Sequence, residues 1–152
     1  MRRYGVISVR RCHIVDLRSV LAIERASFAE DAWPRELFVE LIEECPRLFL
    51  LGVVEGRIAG YVAAVLRREA GELVSIAVLP RHRGRGVAGA LMRRVLVLLQ
   101  KDNVKQCWLM VRPDNHEAIR LYRAFGFERM RRVKDYYGRG ADAWRMAAPI
   151  PR

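Results

Sequence analysis

The sequence predicts a mixed α/β domain, and three features of its patterning predict it. Short apolar or alternating runs recur along the chain, as strands require. Between them lie stretches in which apolar residues return every three or four positions, the period of a helix with one buried face. Gly and Pro punctuate the boundaries, and no internal repeat, linker or low-complexity tract interrupts the series.

The elements follow in order. "YGVISVR" alternates as a strand. "DLRSVLAIERASF" has helical period through Leu17, Val20, Leu21, Ile23 and Phe28, with Asp16 as its N-cap and Glu24 on the wet side. Pro34 suits the first turn of a second helix, "PRELFVELIEE". "RLFLLGVV", the turn "EGR" and "IAGYVAAVLRR" read as a hairpin. "GELVSIAVLP" is a strand closed by Pro80. Residues 86–101 form a helix whose apolar stripe is Val87, Leu91, Val95 and Leu98. "QCWLMV" is the next strand. "DNHEAIRLYRAFGF" is a helix with Asp114 and Glu117 in capping-box spacing and Gly126 at its stop. Strands at 128–133 and 143–148 flank a loop containing "DYYGRG". The sum is about seven strands and four helices.

A chain of 152 residues is expected to be a single domain spanning 1–152. Its longest apolar runs, "LFLLGVV" and "VLVLL", fall short of the roughly 20 residues that cross a bilayer. "MRRYGVISVRR" lacks the apolar segment of a signal peptide. Cys12, Cys45 and Cys107 are odd in number and widely spaced, as reduced thiols of a cytoplasmic protein are. His13, His82 and His116 have no metal-ligand spacing, so no metal is expected.

The formal charge is +11, and of 28 basic residues only Lys101, Lys105 and Lys134 are lysines. Such an arginine excess suits bidentate phosphate recognition. The distribution is more informative than the total. Residues 24–44 carry Glu24, Glu30, Asp31, Glu36, Glu40, Glu43 and Glu44 against Arg25 and Arg35. Residues 81–94 carry Arg81, Arg83, Arg85, Arg93 and Arg94 and no acid. One region is suited to a cation and the other to an anion, or both are solvated helix faces.

The segment "RHRGRGVAGALM" contains Gly84, Gly86 and Gly89 in G-x-G-x-x-G spacing. A P-loop needs Lys and Ser or Thr after its last glycine, whereas Ala90 and Leu91 follow here. A dinucleotide-binding fold needs an acid at the tip of the next strand, and Asp102 precedes that strand instead. A kinase glycine loop needs its lysine and an H-R-D loop, which are missing. Two readings remain. Successive amides at the positive end of a helix dipole form a nest for pyrophosphate, with arginines adding charge. Alternatively the segment is a glycine-rich turn with solvated arginines.

"VSIAVLPRHRGRGVAGALM" resembles motif A of the GNAT superfamily of N-acetyltransferases, in which a strand ending in Val precedes Arg or Gln, two residues, Gly, one residue, and Gly or Ala. Arg81, Gly84 and Gly86 occupy those positions. "WLMVRPDNHEAIRLYRAFGF" and "DYYGRGADAWRMA" resemble the later motifs in order and spacing, and the likeness is strongest over residues 72–148. In detail the chain is similar to the ribosomal-protein and archaeal protein N-alpha-acetyltransferase branch.

The resemblance implies the GNAT fold, with a mostly antiparallel central sheet, and acetyl-CoA as co-substrate. By carry-over, the backbone at Ile76, Ala77 and Val78 holds the pantetheine and acetyl carbonyl. The amides of Arg83, Gly84, Arg85, Gly86, Val87, Ala88 and Gly89 hold the pyrophosphate. Asn115 and Tyr122 match positions near the pantetheine and the thioester sulfur. Tyr122 is then the acid for the leaving thiolate, or alternatively a plain aromatic on a buried helix face.

The base is less direct. The branch's strand resembling "WLMVR" usually carries Glu where this chain has Met110, and a thioether cannot take a proton. Glu72 stands where archaeal relatives often place a histidine, and period-two alternation puts it on the face of Val74, Ile76 and Val78. Glu30 is the second candidate, and water is the third, because an α-amine of pKa about 8 hardly needs a strong base. "FAEDAWP", with Phe28, Ala29 and Glu30, matches one wall of the acceptor site, and Tyr136 and Tyr137 match the other.

The implied reaction is direct attack of a protein or peptide N-terminal amine on the thioester in a ternary complex. Lysine or small-molecule amine acceptors are the alternative. An RNA- or ribosome-binding module, led by "RHRGRG" and "RMRRVK", is a distant one, because no RNA-binding motif accompanies them. A basic surface could still dock such an enzyme near ribosomes, with no specific nucleic acid and no membrane as partner.

Overall fold

Period-two and period-3.6 patterning separate cleanly in the computed structural model, which describes residues 4–151. The strands are β1 (Ile7–Arg11), β2 (Phe49–Val54), β3 (Arg57–Arg67), β4 (Ala70–Val78), β5 (Gln106–Val111), β6 (Glu128–Val133) and β7 (Ala143–Pro149). The α-helices are α1 (Leu17–Phe28), α2 (Arg35–Glu44), α3 (Val87–Lys101) and α4 (His116–Ala124). One sheet runs in the order β1-β2-β3-β4-β5-β7-β6. Every neighbouring pair is antiparallel except β4 and β5. This is the mostly antiparallel mixed sheet that the family resemblance implied. No helix among the described residues is long and apolar enough to cross a membrane.

Helices cover both faces of the sheet. Leu17, Val20 and Ile23 of α1 and Phe38 of α2 pack with Phe49, Leu51 and Tyr61 on one side. On the other, Val87, Leu91, Val95 and Leu99 of α3 and Ile119 and Tyr122 of α4 pack with Leu50, Val62, Leu109 and Phe127. Burial of these two apolar layers is the main favourable term for the fold.

Two features position the site. The first is that β4 pairs with β5 over only three residues, Ala70–Glu72 against Gln106–Trp108. Beyond Glu72 the strands diverge, and the β4 edge facing β5 is left without a strand partner. The second is a bulge in the β3–β4 ladder: Ala63 pairs with Ser75 and Ala64 with Leu73, which leaves Val74 out of register.

That bulge corrects the alternation expected for β4. Leu73, Ile76 and Val78 pack on the α3 side, whereas Ala77 packs on the α1–α2 side, and the Ser75 hydroxyl reaches Tyr61 there. Glu72, one residue before Leu73, therefore shares a face with Ser75 and Ala77. It does not share one with Ile76 and Val78.

Three local expectations also change. Asp16 does not cap α1; its carboxylate accepts the His13 N–H at 2.9 Å and a fork of Arg10 donors at 2.9 and 3.0 Å. The cap of α4 is Asn115 rather than Asp114, its side-chain oxygen accepting the Ala118 N–H at 3.2 Å. Glu24 is not on the wet side of α1 but is buried, 1% exposed.

The C-terminus of α4 is closed by a Schellman motif. Gly126, at φ +89°, lets the Phe127 N–H reach the Tyr122 carbonyl (3.1 Å) and its own N–H reach that of Arg123 (3.0 Å). The Phe127 ring then packs 6.0 Å from that of Tyr122. Phe127→Ala is expected to destabilise the protein by about 3–5 kcal/mol, the usual cost of emptying a buried aromatic site. Urea unfolding measures it.

Candidate functional site

Divergence of β4 from β5 opens a cleft of about 900 Å³ through the middle of the sheet. One end is built by the turn after β4 and the start of α3. Gly86 at φ +91° forms the N-cap of α3 and offers no side-chain cap. The first helical bond there runs from the Ala90 N–H to the Gly86 carbonyl (3.0 Å). The amides of Val87, Ala88 and Gly89 precede it and have no partner within the helix, so they face outward at the positive end of the dipole. Gly84, also at positive φ (+73°), completes the curl. This is a cradle for an anion.

The arginines of the turn are used differently from one another. Arg83 folds back, its Nε donating to the Val78 carbonyl at 2.9 Å and its Nη2 reaching Ser27 Oγ at 3.4 Å. It thereby ties the turn to β4 and α1 and leaves its backbone to the cleft. Arg85 turns away and lies 5.0 Å over the Tyr4 ring. The Tyr4 hydroxyl is 2.7 Å from His82 Nδ1. Burial, with Arg81 and Arg85 nearby, holds His82 below the usual histidine range, so it is neutral near pH 7.

At the centre stands Tyr122 on α4, 7% exposed and held by the Schellman turn and Phe127. Burial pushes its hydroxyl well above the ordinary tyrosine range, and nearby Tyr137 adds to the effect. It keeps its proton at any physiological pH. Asn115, Ile76, Ala77 and Val78 line the cleft beside it.

The far end is acidic and aromatic. Asp31, Glu40, Glu44 and Glu72 line it with Phe28, Trp33, Trp108, Met110, Tyr136 and Tyr137. Glu72 sits 4.0 Å from Arg67, which in turn pairs with Glu44 at 2.7 Å. Burial raises the Glu72 carboxyl above the ordinary glutamate range; Arg67 and Arg145 oppose the shift and Glu44 adds to it. Tyr136 and Tyr137 meet edge to face, centroids 4.9 Å apart, and burial pushes Tyr137 up to about 12. Met110 lies on the same face of β5 as Trp108, opposite Leu109 and Val111.

Of the residues singled out in the sequence, Glu72, Tyr122, Asn115, Ile76, Ala77, Val78, Arg83, Gly84, Gly86, Val87, Ala88, Gly89, Phe28, Tyr136 and Tyr137 all line this one cleft. Ala29, Glu30 and Arg85 do not. Ala29 and Glu30 are exposed in a 3-10 turn (Ala29–Asp31), and it is their neighbour Asp31 that reaches the cleft.

Residues 17–127 match the acetyltransferase (GNAT) family. The chain is 32% identical to an N-alpha-acetyltransferase of Sulfolobus acidocaldarius, over 93% of this chain and 92% of that one. Among solved structures, Ard1 from Thermoplasma volcanium superposes with a TM-score of 0.91 at 28% identity, covering 96% of this chain and 99% of that one. The ribosomal-protein-S18-alanine N-acetyltransferase from Escherichia coli superposes with a TM-score of 0.84 at 26% identity, covering 97% and 96%.

Trp108 and Arg112 line the cleft and were given no role by the reading of the sequence, whereas Glu24, Asp31, Glu40 and Glu44 belong to the acidic run it marked as suited to a cation, with the burial of Glu24 unforeseen. Trp108 was accessible from the alternation of β5, since it shares a face with Met110. Glu24 was accessible from its spacing of four from both Val20 and Phe28 on α1. Its carboxylate accepts the Tyr61 hydroxyl and, at 2.8 Å, the Trp33 N–H, which anchors the α1–α2 connection against the sheet. Glu24→Ala strands the Trp33 N–H and leaves the Tyr61 hydroxyl only Ser75 Oγ as partner, and thermal or urea unfolding is expected to show a loss of about 1–3 kcal/mol. Glu24→Gln keeps an acceptor oxygen and is expected to lose less.

Proposed function

The chain belongs to the GNAT acetyltransferase family, and we propose that it acetylates the free N-terminal amine of proteins or peptides, with acetyl-CoA as donor. The observation that carries this reading is the polarity of the cleft. One end presents unpartnered α3 amides and the basic turn, fitted to a pyrophosphate; the other presents four carboxylates and two tyrosines, fitted to an incoming ammonium. The names of the Sulfolobus and Escherichia coli relatives, an N-alpha-acetyltransferase and a ribosomal-protein-alanine acetyltransferase, support the same acceptor class.

The amides of Val87, Ala88 and Gly89 and the free edge of β4 would hold acetyl-CoA, which supplies an activated acetyl thioester. Of the Val78 backbone, the carbonyl is already shared with Arg83. Tyr122 holds the proton that the departing sulfur needs, on a hydroxyl that burial keeps protonated. Glu72 takes the proton that the attacking amine must shed. It reaches the cleft from the α2 side of the sheet, with Tyr136 beside it and Trp108 paired with it on β5; Met110, two residues further on, has no group that takes a proton. Because Glu72 has an elevated pKa, it is a better match to an ammonium than an ordinary exposed glutamate. The paired tyrosines and the α1–α2 turn form the walls between which the acceptor's first residues lie. Exposed Arg129, Arg131 and Arg132 on β6 give the molecule a basic edge that suits work close to ribosomes.

Initial-rate kinetics with a free-N-terminus peptide test the assignment. Tyr122→Phe is expected to lower kcat by about 10²-fold or more, and Glu72→Gln by clearly less, about tenfold. Wild-type rates in both would overturn it. The rate is expected to rise with pH toward the α-amine pKa of about 8. The alkaline fall, which needs a deprotonated Tyr122, is expected above the ordinary tyrosine value of 10.

A further inference from the structure

Arg112 follows β5 directly, at the point where the cleft opens to solvent. Its guanidinium makes two contacts with different elements. The Nη2 donates to Asp31 Oδ2 at 3.1 Å, in the turn between α1 and α2. The Cζ of the same group lies over the Tyr137 ring, 4.2 Å from the centroid, in the loop between β6 and β7. Asp31, Arg112 and Tyr137 all line the cleft, and together they cross it from one wall to the other.

Neither Asp31 nor Tyr137 itself belongs to a strand of the sheet. Asp31 lies in a 3-10 turn with a side chain 70% exposed, and Tyr137 lies in a turn whose backbone bond runs to Ala141 at 2.9 Å. The contacts made by Arg112 therefore link the two loops directly at the cleft mouth, beyond the anchoring of the α1–α2 connection by Glu24. A planar, forked guanidinium spreads its charge over a ring while donating along its edge, whereas a compact, strongly hydrated ammonium lacks both the flat contact and the fork.

We propose that Arg112 is a specificity-determining residue, which straps Asp31 to Tyr137 and so closes one side of the acceptor opening. This rests on the N-terminal amine reading. An N-terminus leaves the site in a single direction and fits an opening strapped on one side. An internal lysine brings main chain that departs in two directions and needs the groove open across its width.

The test compares wild-type protein with Arg112→Lys and Asp31→Asn, the second an isosteric change at an exposed position. Three quantities are read: kcat and KM for a free-N-terminus peptide, the rate on a peptide with a blocked N-terminus and one internal lysine, and acetyl-CoA affinity by calorimetry. For Arg112→Lys the acceptor KM is expected to rise about tenfold, the scale of one lost stack and ion pair. The kcat is expected to stay within about twofold and acetyl-CoA affinity to stay unchanged, while lysine acetylation gains on the α-amine reaction. Asp31→Asn is expected to move in the same direction by less. An α-amine-specific wild type whose variants keep its KM and its selectivity overturns the strap and leaves the acceptor reading intact. A fall in kcat or in acetyl-CoA affinity with unchanged acceptor KM overturns it too. A wild type that prefers the internal lysine overturns both.

Discussion

Three residue pairs, Ala70–Glu72 with Gln106–Trp108, are all that joins the two halves of the sheet, and the rest of the structure is arranged around that short seam. A longer β4–β5 ladder would close the cleft, and no seam would separate the molecule into two sheets. Stopping the ladder after Glu72 leaves an unpaired backbone edge in the interior of the fold. Buried backbone polar groups are normally paired, so such an edge is an invitation to a ligand that carries its own amides. The pantetheine arm of acetyl-CoA is such a ligand. The bulge at Val74 belongs to the same device, because it changes which β4 side chains face the two layers just where the strands part.

Charge is then sorted along the opening rather than over the whole surface. The chain carries +11, yet the aromatic end of the cleft gathers Asp31, Glu40, Glu44 and Glu72 around Arg67 and Arg112. At the opposite end, much of the positive potential comes from main-chain amides at the start of α3, since Arg83 is engaged by the Val78 carbonyl and Arg85 by Tyr4. A fixed backbone dipole needs no rotamer ordering to bind an anion, which is an advantage over long flexible side chains. Tyr122 sits between these ends, its ring fixed by the Schellman turn and its hydroxyl kept protonated by burial.

The order of elements was legible in the sequence because apolar periodicity reports which side of an element meets the core. β5 and β6 fall where their patterns put them, whereas the glycine-rich turn stayed open between an anion cradle and a solvated turn until the later segments supplied the family resemblance. What was lost is local. The cap of α4 moved from Asp114 to Asn115 because both are good capping residues and spacing alone does not choose between neighbours. The face of Glu72 was misjudged because a bulge is a backbone event that adds one residue to the alternation and leaves no composition signal at Val74. Glu24 was placed in water because charge usually means exposure, whereas here two donors, the Tyr61 hydroxyl and the Trp33 amide, compensate its burial. Arg112 was invisible because its partners, Asp31 and Tyr137, are distant in the chain and meet only across the cleft.

The most direct measurement is mass spectrometry of peptides incubated with the purified protein and acetyl-CoA. The panel varies the first two residues, and each peptide has a twin with a blocked N-terminus and a free lysine. Acetylation confined to free α-amines is the expected result, and it would also reveal which first residues the acidic, aromatic mouth prefers. Acetylation of lysines instead, or of nothing despite measurable CoA binding, would contradict the N-terminal acceptor and assign the far end of the cleft to another amine.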